Sequence, residues 1–193
     1  SKFRQRTLSE EKVLPRSKDA VRMMNNYDTI WVMDEALSYE PSHVDSVASI
    51  AAARNQDPLE VVMDTMAEGI PLLVLFGRYA GDLEGQRELI EDPRSVFGLS
   101  DGGAHCGVLV DASVPTYMLT YFSRDRQRGP TMSPEFVVHK MTRDTAKLYG
   151  LYDRGLIQTG FKADLNVIDL NNLKLRKPEM VYDLPGGGKR LVQ

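Results

Sequence analysis

The chain has 193 residues, 42% hydrophobic and 26% charged, which is the composition of a folded globular protein. A net charge of −3, a pI of about 5.7 and the lack of a dense Lys/Arg stripe interleaved with aromatics argue against a nucleic-acid partner. No apolar run approaches the roughly 20 residues that span a bilayer, and the single Cys106 cannot form an internal disulfide, which favours a reducing, cytoplasmic compartment.

Residues 1–28 are polar, and Ser17-Lys18-Asp19-Ala20 is placed to open a short helix carrying Val21 and Met24 on one side. Thr29-Ile30-Trp31-Val32-Met33 predicts a strand. Asp34-Glu35-Ala36 follows it, either facing a site or forming a solvated acidic loop. Val44 to Arg54 has helical spacing, with Val47, Ile50 and Ala51 on one face. Asp57-Pro58-Leu59-Glu60 is a helix start: Asp at the N-cap, Pro at the first helical position and an acid at the third. Val62, Met63, Met66 and Ala67 continue it at packing spacing, and Gly69 stops it.

Pro71-Leu72-Leu73-Val74-Leu75-Phe76 predicts a buried strand, with Gly77-Arg78-Tyr79-Ala80-Gly81 at its carboxyl end. Asp82 to Glu91 predicts a short helix with Leu83, Leu89 and Ile90 inward, ended by Asp92-Pro93. The alternation of helix and strand predicts βαβ units and a parallel sheet.

The apolar run Val96 to Leu99 predicts a third buried strand, stopped by Ser100-Asp101-Gly102-Gly103-Ala104-His105. Glycines there allow a sharp turn and close approach of a ligand. Asp101 then lies at a strand's carboxyl end, the edge where α/β folds build sites. Asp-Gly is also a common turn pair, and Asp101 as a simple turn former is the competing reading.

Residues 106–132 give little pattern beyond a short helix at Tyr117 to Phe122. Arg124-Asp125-Arg126-Gln127-Arg128 reads as a solvated loop face. Ser133-Pro134-Glu135 starts a helix with Val137, Met141, Thr145 and Leu148 on one face, His139 off it and Gly150 as the stop. Leu156-Ile157 and Ala163 to Leu170 predict strands, and Pro185-Gly186-Gly187-Gly188 a flexible bend. A boundary near residue 152 separates 1–152 from β-rich residues 153–193.

His43, His105 and His139 form neither His-x-His nor His-x-x-x-His, so the chain has no self-sufficient zinc site in its sequence. About three strand–helix units are too few for a complete eight-stranded barrel, which takes roughly 250 residues. The chain is either a small open α/β domain or the closing part of a larger barrel.

Ser100-Asp101-Gly102 at the end of an apolar run, followed by a loop and the helix from Ser133 to Gly150, resembles the metal-dependent amidohydrolases. Leu151-Tyr152-Asp153-Arg154-Gly155-Leu156-Ile157 with Gly160-Phe161-Lys162-Ala163-Asp164-Leu165-Asn166-Val167-Ile168-Asp169 is similar to that superfamily's re-entry into its small β-sandwich. The Asp57-Pro58 helix and the tail Asp183-Leu184-Pro185-Gly186-Gly187-Gly188-Lys189-Arg190 resemble the N-acyl-D-amino-acid deacylase group. The resemblance runs from about residue 29 to the end.

It implies an α/β fold: the last strand–helix units of a TIM-like barrel over 1–152, then part of a β-sandwich over 153–193. It implies that Asp101 is the catalytic general acid/base beside a metal-bound water. The zinc belongs to the full-length enzyme, on ligands upstream of this chain, so no metal ligand is assigned here and the isolated fragment is expected to be inactive. Gly102 and Gly103 would leave room for an N-acyl-D-amino-acid or related amide substrate, with His105 and Arg78 as substrate-binding residues. The loop His105-Cys106-Gly107-Val108 departs from the His-Pro-Arg-containing loop typical of the D-aminoacylases. Two other readings stand beside the enzyme: a non-catalytic module binding a small ligand or anion on backbone N–H groups, and self-association of a fragment with open sheet edges.

Overall fold

The computed structural model of the chain describes residue 5 and residues 26–33, 38–75, 81–98, 103 and 105–193. The helix expected from Ser17 and the acids Asp34 and Glu35 lie outside these residues. Contacts divide the chain into two compact units, 1–83 and 84–193. Among the described residues no helix is long and apolar enough to cross a membrane.

The first unit is built on two short strands, β1 (Ile30–Val32) and β2 (Leu72–Val74), with two helices between them, α1 (Val47–Arg54) and α2 (Pro58–Ala67). The helix starts are set by their caps. The Ser46 hydroxyl accepts from the Ser49 N–H and the Asp57 carboxylate from the Leu59 N–H at 2.8 Å, satisfying N–H groups that the helix leaves open. The Ser46 cap also explains why α1 begins at Val47 and leaves Val44 exposed. Ile30, Val47, Ala51 and Val61 form the core, with Tyr27, Val32, Ile50, Val62, Leu72 and Val74 packed on it. Burying each valine fully contributes about 1.5–3 kcal/mol. On α2 the inward residues are Val61 and Thr65, one helical turn apart, and Met66 is exposed, so the helix is rotated from the face expected from its sequence.

The expected parallel sheet does not form here. β1 and β2 pair antiparallel, Ile30 opposite Val74 and Val32 opposite Leu72. A single crossover helix brings the next strand back parallel. The α1–α2 pair, joined through Asn55–Asp57, reverses the chain once more, so β2 returns in the opposite sense.

The second unit begins with α3 (Glu84–Glu91). Leu83, just before it, is buried as expected, whereas Leu89 is exposed, against the inward placement expected for it. Residues 95–98 run without ladder pairing, so Val96 to Gly98 is not the expected buried strand, and Val96 is exposed. A strand needs a neighbour for its backbone groups, and among the described residues none lies beside this run.

Helix α4 (Val114–Tyr117) continues as a π-helical segment Met118–Asp125. α5 (Pro134–His139), started by the Ser133 hydroxyl accepting from Phe136 N–H at 3.1 Å, continues through π-helical Lys140–Asp144 into α6 (Thr145–Leu148). Met118, Leu119, Phe122, Met132, Val137 and Ala146 are buried. Arg126 is only 4% exposed and is not part of a solvated face. Its guanidinium lies 5.6 Å from the Phe122 ring centre and donates to Glu84 at 3.0 Å and to the Pro130 carbonyl at 3.2 Å. Those partners compensate the desolvation of the charge.

Residues 156–157 and 163–170 form no strand, and Ile157, Leu165, Val167 and Ile168 are exposed. The β structure after residue 152 is the antiparallel hairpin of β3 (Glu179–Leu184) and β4 (Gly188–Val192). Pro185–Gly187, the expected flexible bend, is its ordered turn, with Gly186 and Gly187 at φ of 69° and 76°. Such φ values favour glycine.

Candidate functional site

Of the residues singled out from the sequence, Asp101, Gly102 and Arg78 lie outside the described residues. Gly103 and His105 are described: Gly103 is an exposed bend, and exposed His105 opens a turn over residues 105–108. A methyl group built on Gly103 meets nothing within 4 Å, so the space beside it is open.

His105 adopts φ of 62°, the left-handed region that costs a side-chain-bearing residue about 1–2 kcal/mol. Its carbonyl accepts from Val108 N–H at 2.8 Å and Leu109 N–H at 2.9 Å, closing the turn. The next carbonyl, that of Cys106, accepts from Leu191 N–H at 2.6 Å, so β4 braces the turn from outside.

The approach to the turn is as closely held. Asp92 follows the last residue of α3. Its carboxylate accepts from the Arg94 N–H at 2.8 Å and from the Arg94 guanidinium at 2.9 and 2.6 Å. The Arg94 contacts bring the Asp92 carboxyl down to about 2. The Asp92 carbonyl accepts from Ser95 N–H at 3.1 Å and Ser95 Oγ at 2.9 Å.

Lys140, 3% exposed, completes this arrangement: its Nζ donates to the carbonyls of Asp92 at 2.6 Å and Ser95 at 2.8 Å. Sequence reading missed it. The signal was there: Lys140 stands three residues after the fully buried Val137, on the inward side of a helix, where a lysine is anomalous.

Among the described residues no group of three or more His, Cys, Asp or Glu side chains converges to hold a metal. His43 packs its ring 6.1 Å from that of Trp31, and His139 faces Asp144 at 3.5 Å. The described residues therefore do not fit a zinc centre.

Residues 20–191 match the model of the amidohydrolase family. The chain belongs to the amidohydrolase family. Membership implies part of a TIM barrel as the parent architecture and suggests a hydrolase acting on C–N bonds. Enzymes of the amidohydrolase family are typically metal-dependent. No curated protein and no solved structure matches the chain.

Proposed function

We propose that this chain supplies the Asp101-bearing part of an amidohydrolase that cleaves N-acyl-D-amino acids or related amides. Residues 1–152 contribute the closing strand–helix units of its barrel and 153–193 part of its β-sandwich. The observation that carries the reading is the family match, whose span, residues 20–191, includes Ser100-Asp101-Gly102-Gly103. Open space beside Gly103 and the strained, braced His105 support it.

In this reading Asp101 is the proton-transfer group. A water adds its hydroxyl to the amide carbonyl carbon, and Asp101 takes the released proton. The C–N bond then breaks, and Asp101 returns the proton to the leaving nitrogen, giving a carboxylic acid and an amine. In this reading His105 and Arg78 hold the substrate carboxylate. The zinc that the family uses would sit on residues other than those described here, and no step is assigned to it.

Asp101→Asn in the complete protein tests this. Amine release from an N-acetyl-D-amino acid should fall by at least about 10²-fold, the usual contribution of a proton-transfer group. An unchanged rate refutes it and leaves the anion-binding module as the better reading. Exposed Leu165, Val167 and Ile168 also support self-association of the chain when it is alone, which native mass measurement checks.

A further inference from the structure

The second unit holds a cavity of about 170 Å³ lined by Leu89, Ile90, Ser95, Val96, Phe97 and Lys140. Helix α3 brings Leu89 and Ile90, and the segment after the turn at Asp92–Ser95 brings Val96 and Phe97. Lys140 comes across from the helix that begins at Pro134. Leu89, Ile90, Val96 and Phe97 are hydrocarbon walls. Leu89 and Val96 are exposed, so solvent reaches the cavity on their side.

The charge in this wall is anomalous. Lys140 is 3% exposed, and a buried ammonium is costly unless its hydrogen bonds are replaced. It carries three N–H donors. Two are taken, by the carbonyls of Asp92 at 2.6 Å and Ser95 at 2.8 Å. Among the described residues these are its hydrogen bonds, and no carboxylate lies within ion-pair distance of it. The Asp92 carboxylate feels the charge from further off but is held by Arg94. The Ser95 hydroxyl spends its donor on the carbonyls of Leu89 at 2.6 Å and Asp92 at 2.9 Å. The cavity therefore offers one positive charge, with one donor to spare, on otherwise apolar walls. Lys140 also opens the π-helical segment Lys140–Asp144, and such segments within helices recur at functional sites.

We propose that this cavity binds a small monocarboxylate with an apolar body, its carboxylate paired with Lys140 and its hydrocarbon against Leu89, Ile90, Val96 and Phe97. The proposal does not depend on the reading of Asp101.

Size and charge set the ligand class. An apolar cavity of about 150 Å³ takes up benzene, so about 170 Å³ suits a carboxylate with a body of about five or six carbons. Phosphate and sulfate are poor occupants, because their oxygens need several donors when desolvated and these walls supply one. A neutral hydrocarbon leaves the third N–H of the ammonium without an acceptor.

Isothermal titration calorimetry of the complete protein with sodium hexanoate tests this, beside its neutral counterpart hexanamide and inorganic phosphate. Hexanoate should bind one to one with a Kd of about 1 mM or below. Hexanamide and phosphate should bind at least about tenfold more weakly, the first for want of charge and the second for want of an apolar body. Lys140→Met should weaken hexanoate by at least about tenfold, the worth of a hydrogen bond to a charged group. Val96→Trp, which fills the cavity with a ring, should weaken it as much. In wild type, saturating hexanoate should slow hydrogen exchange in peptides covering 89–97 and leave those covering 47–67 unchanged. Should Lys140→Met fail to fold, Val96→Trp and the exchange comparison decide. Equal hexanoate affinity in wild type and either variant overturns the proposal and puts the carboxylate elsewhere, such as on a metal. So does the absence of saturable binding at ten times that concentration, or protection that falls outside 89–97.

Discussion

Leu191 donates its N–H to the Cys106 carbonyl at 2.6 Å, joining the last strand to the turn that begins at His105. In the hairpin Leu191 stands opposite Met180, and its N–H is directed at Cys106 instead of the partner strand. The Ser113 hydroxyl adds a second tie, to Gln193 at 2.7 Å. The end of the chain is therefore part of the support of the candidate site. Proline at 191 removes the donor, and strands accept proline where the N–H points away from the ladder. Leu191→Pro should keep the β3–β4 hairpin, lower stability by about 1 kcal/mol from this bond, and quicken exchange at Val108 and Leu109. Unchanged exchange there would show that the brace does not hold the turn.

His105 supplies a second expectation. At φ of 62° its side chain is a cost to the fold, and glycine carries no such penalty. His105→Gly should be more stable than His105→Ala by about 1 kcal/mol, read from urea unfolding. In the proposed enzyme both variants should raise KM, because that reading gives the imidazole a contact with the substrate. Equal stability of the two variants would contradict the left-handed placement.

Asp92 predicts an acid limb. Its carboxyl goes from an ordinary 3.8 to about 2 in the folded chain, mainly through hydrogen bonds from Arg94. Between those values the unfolded chain binds more protons than the folded one, so stability rises with pH across that window. The contribution is complete above the unfolded value and is lost as the pH falls through about 2. Glu84, Asp125, Asp153, Asp169 and Asp183 are also lowered, each by its own partners. The wild-type curve minus that of Asp92→Asn isolates the Asp92 part. That difference should be flat above about pH 5 and shrink toward pH 2; a difference that grows on acidification would reverse the assignment.

The helix boundaries were the legible part of this sequence, because a cap is local chemistry. Asp57-Pro58, Ser133-Pro134, Asp92-Pro93 and the stops at Gly69 and Gly150, with φ of 70° and 71°, all stand where their residue types place them. Pairing was not legible. Val96 to Gly98 and Ala163 to Leu170 carry strand-like residues, but a strand exists only beside another, and the described residues supply none for either. The direction of β1 against β2 likewise depended on the two intervening helices acting as a pair. Arg126 and Lys140 were hidden for a different reason: charge suggests solvent, and only the tertiary partners Glu84, Phe122, Asp92 and Ser95 reveal that each is buried and hydrogen-bonded.

Two glycines in the turns over residues 152–161 should respond very differently to the same substitution. Gly155 and Gly160 have φ of 79° and 86°, so a methyl group at either incurs the left-handed penalty of about 1–2 kcal/mol. Their surroundings differ. A Cβ at Gly155 would lie 2.8 Å from Arg143 Cα and 3.1 Å from the Thr142 carbonyl carbon, which are backbone atoms of the π-helical segment and cannot turn aside. The Arg143 guanidinium meanwhile donates to the carbonyls of Tyr152 at 3.3 Å and Arg154 at 3.1 Å, holding the turn down on that helix. Nothing lies within 4 Å of a Cβ at Gly160. Gly155→Ala must therefore add overpacking, about 1–3 kcal/mol, to the conformational cost, while Gly160→Ala carries the conformational cost alone. Urea unfolding should show Gly155→Ala as the less stable by more than about 1 kcal/mol. Equal losses would mean that the 152–161 turn does not rest on the helix at Thr142 and Arg143.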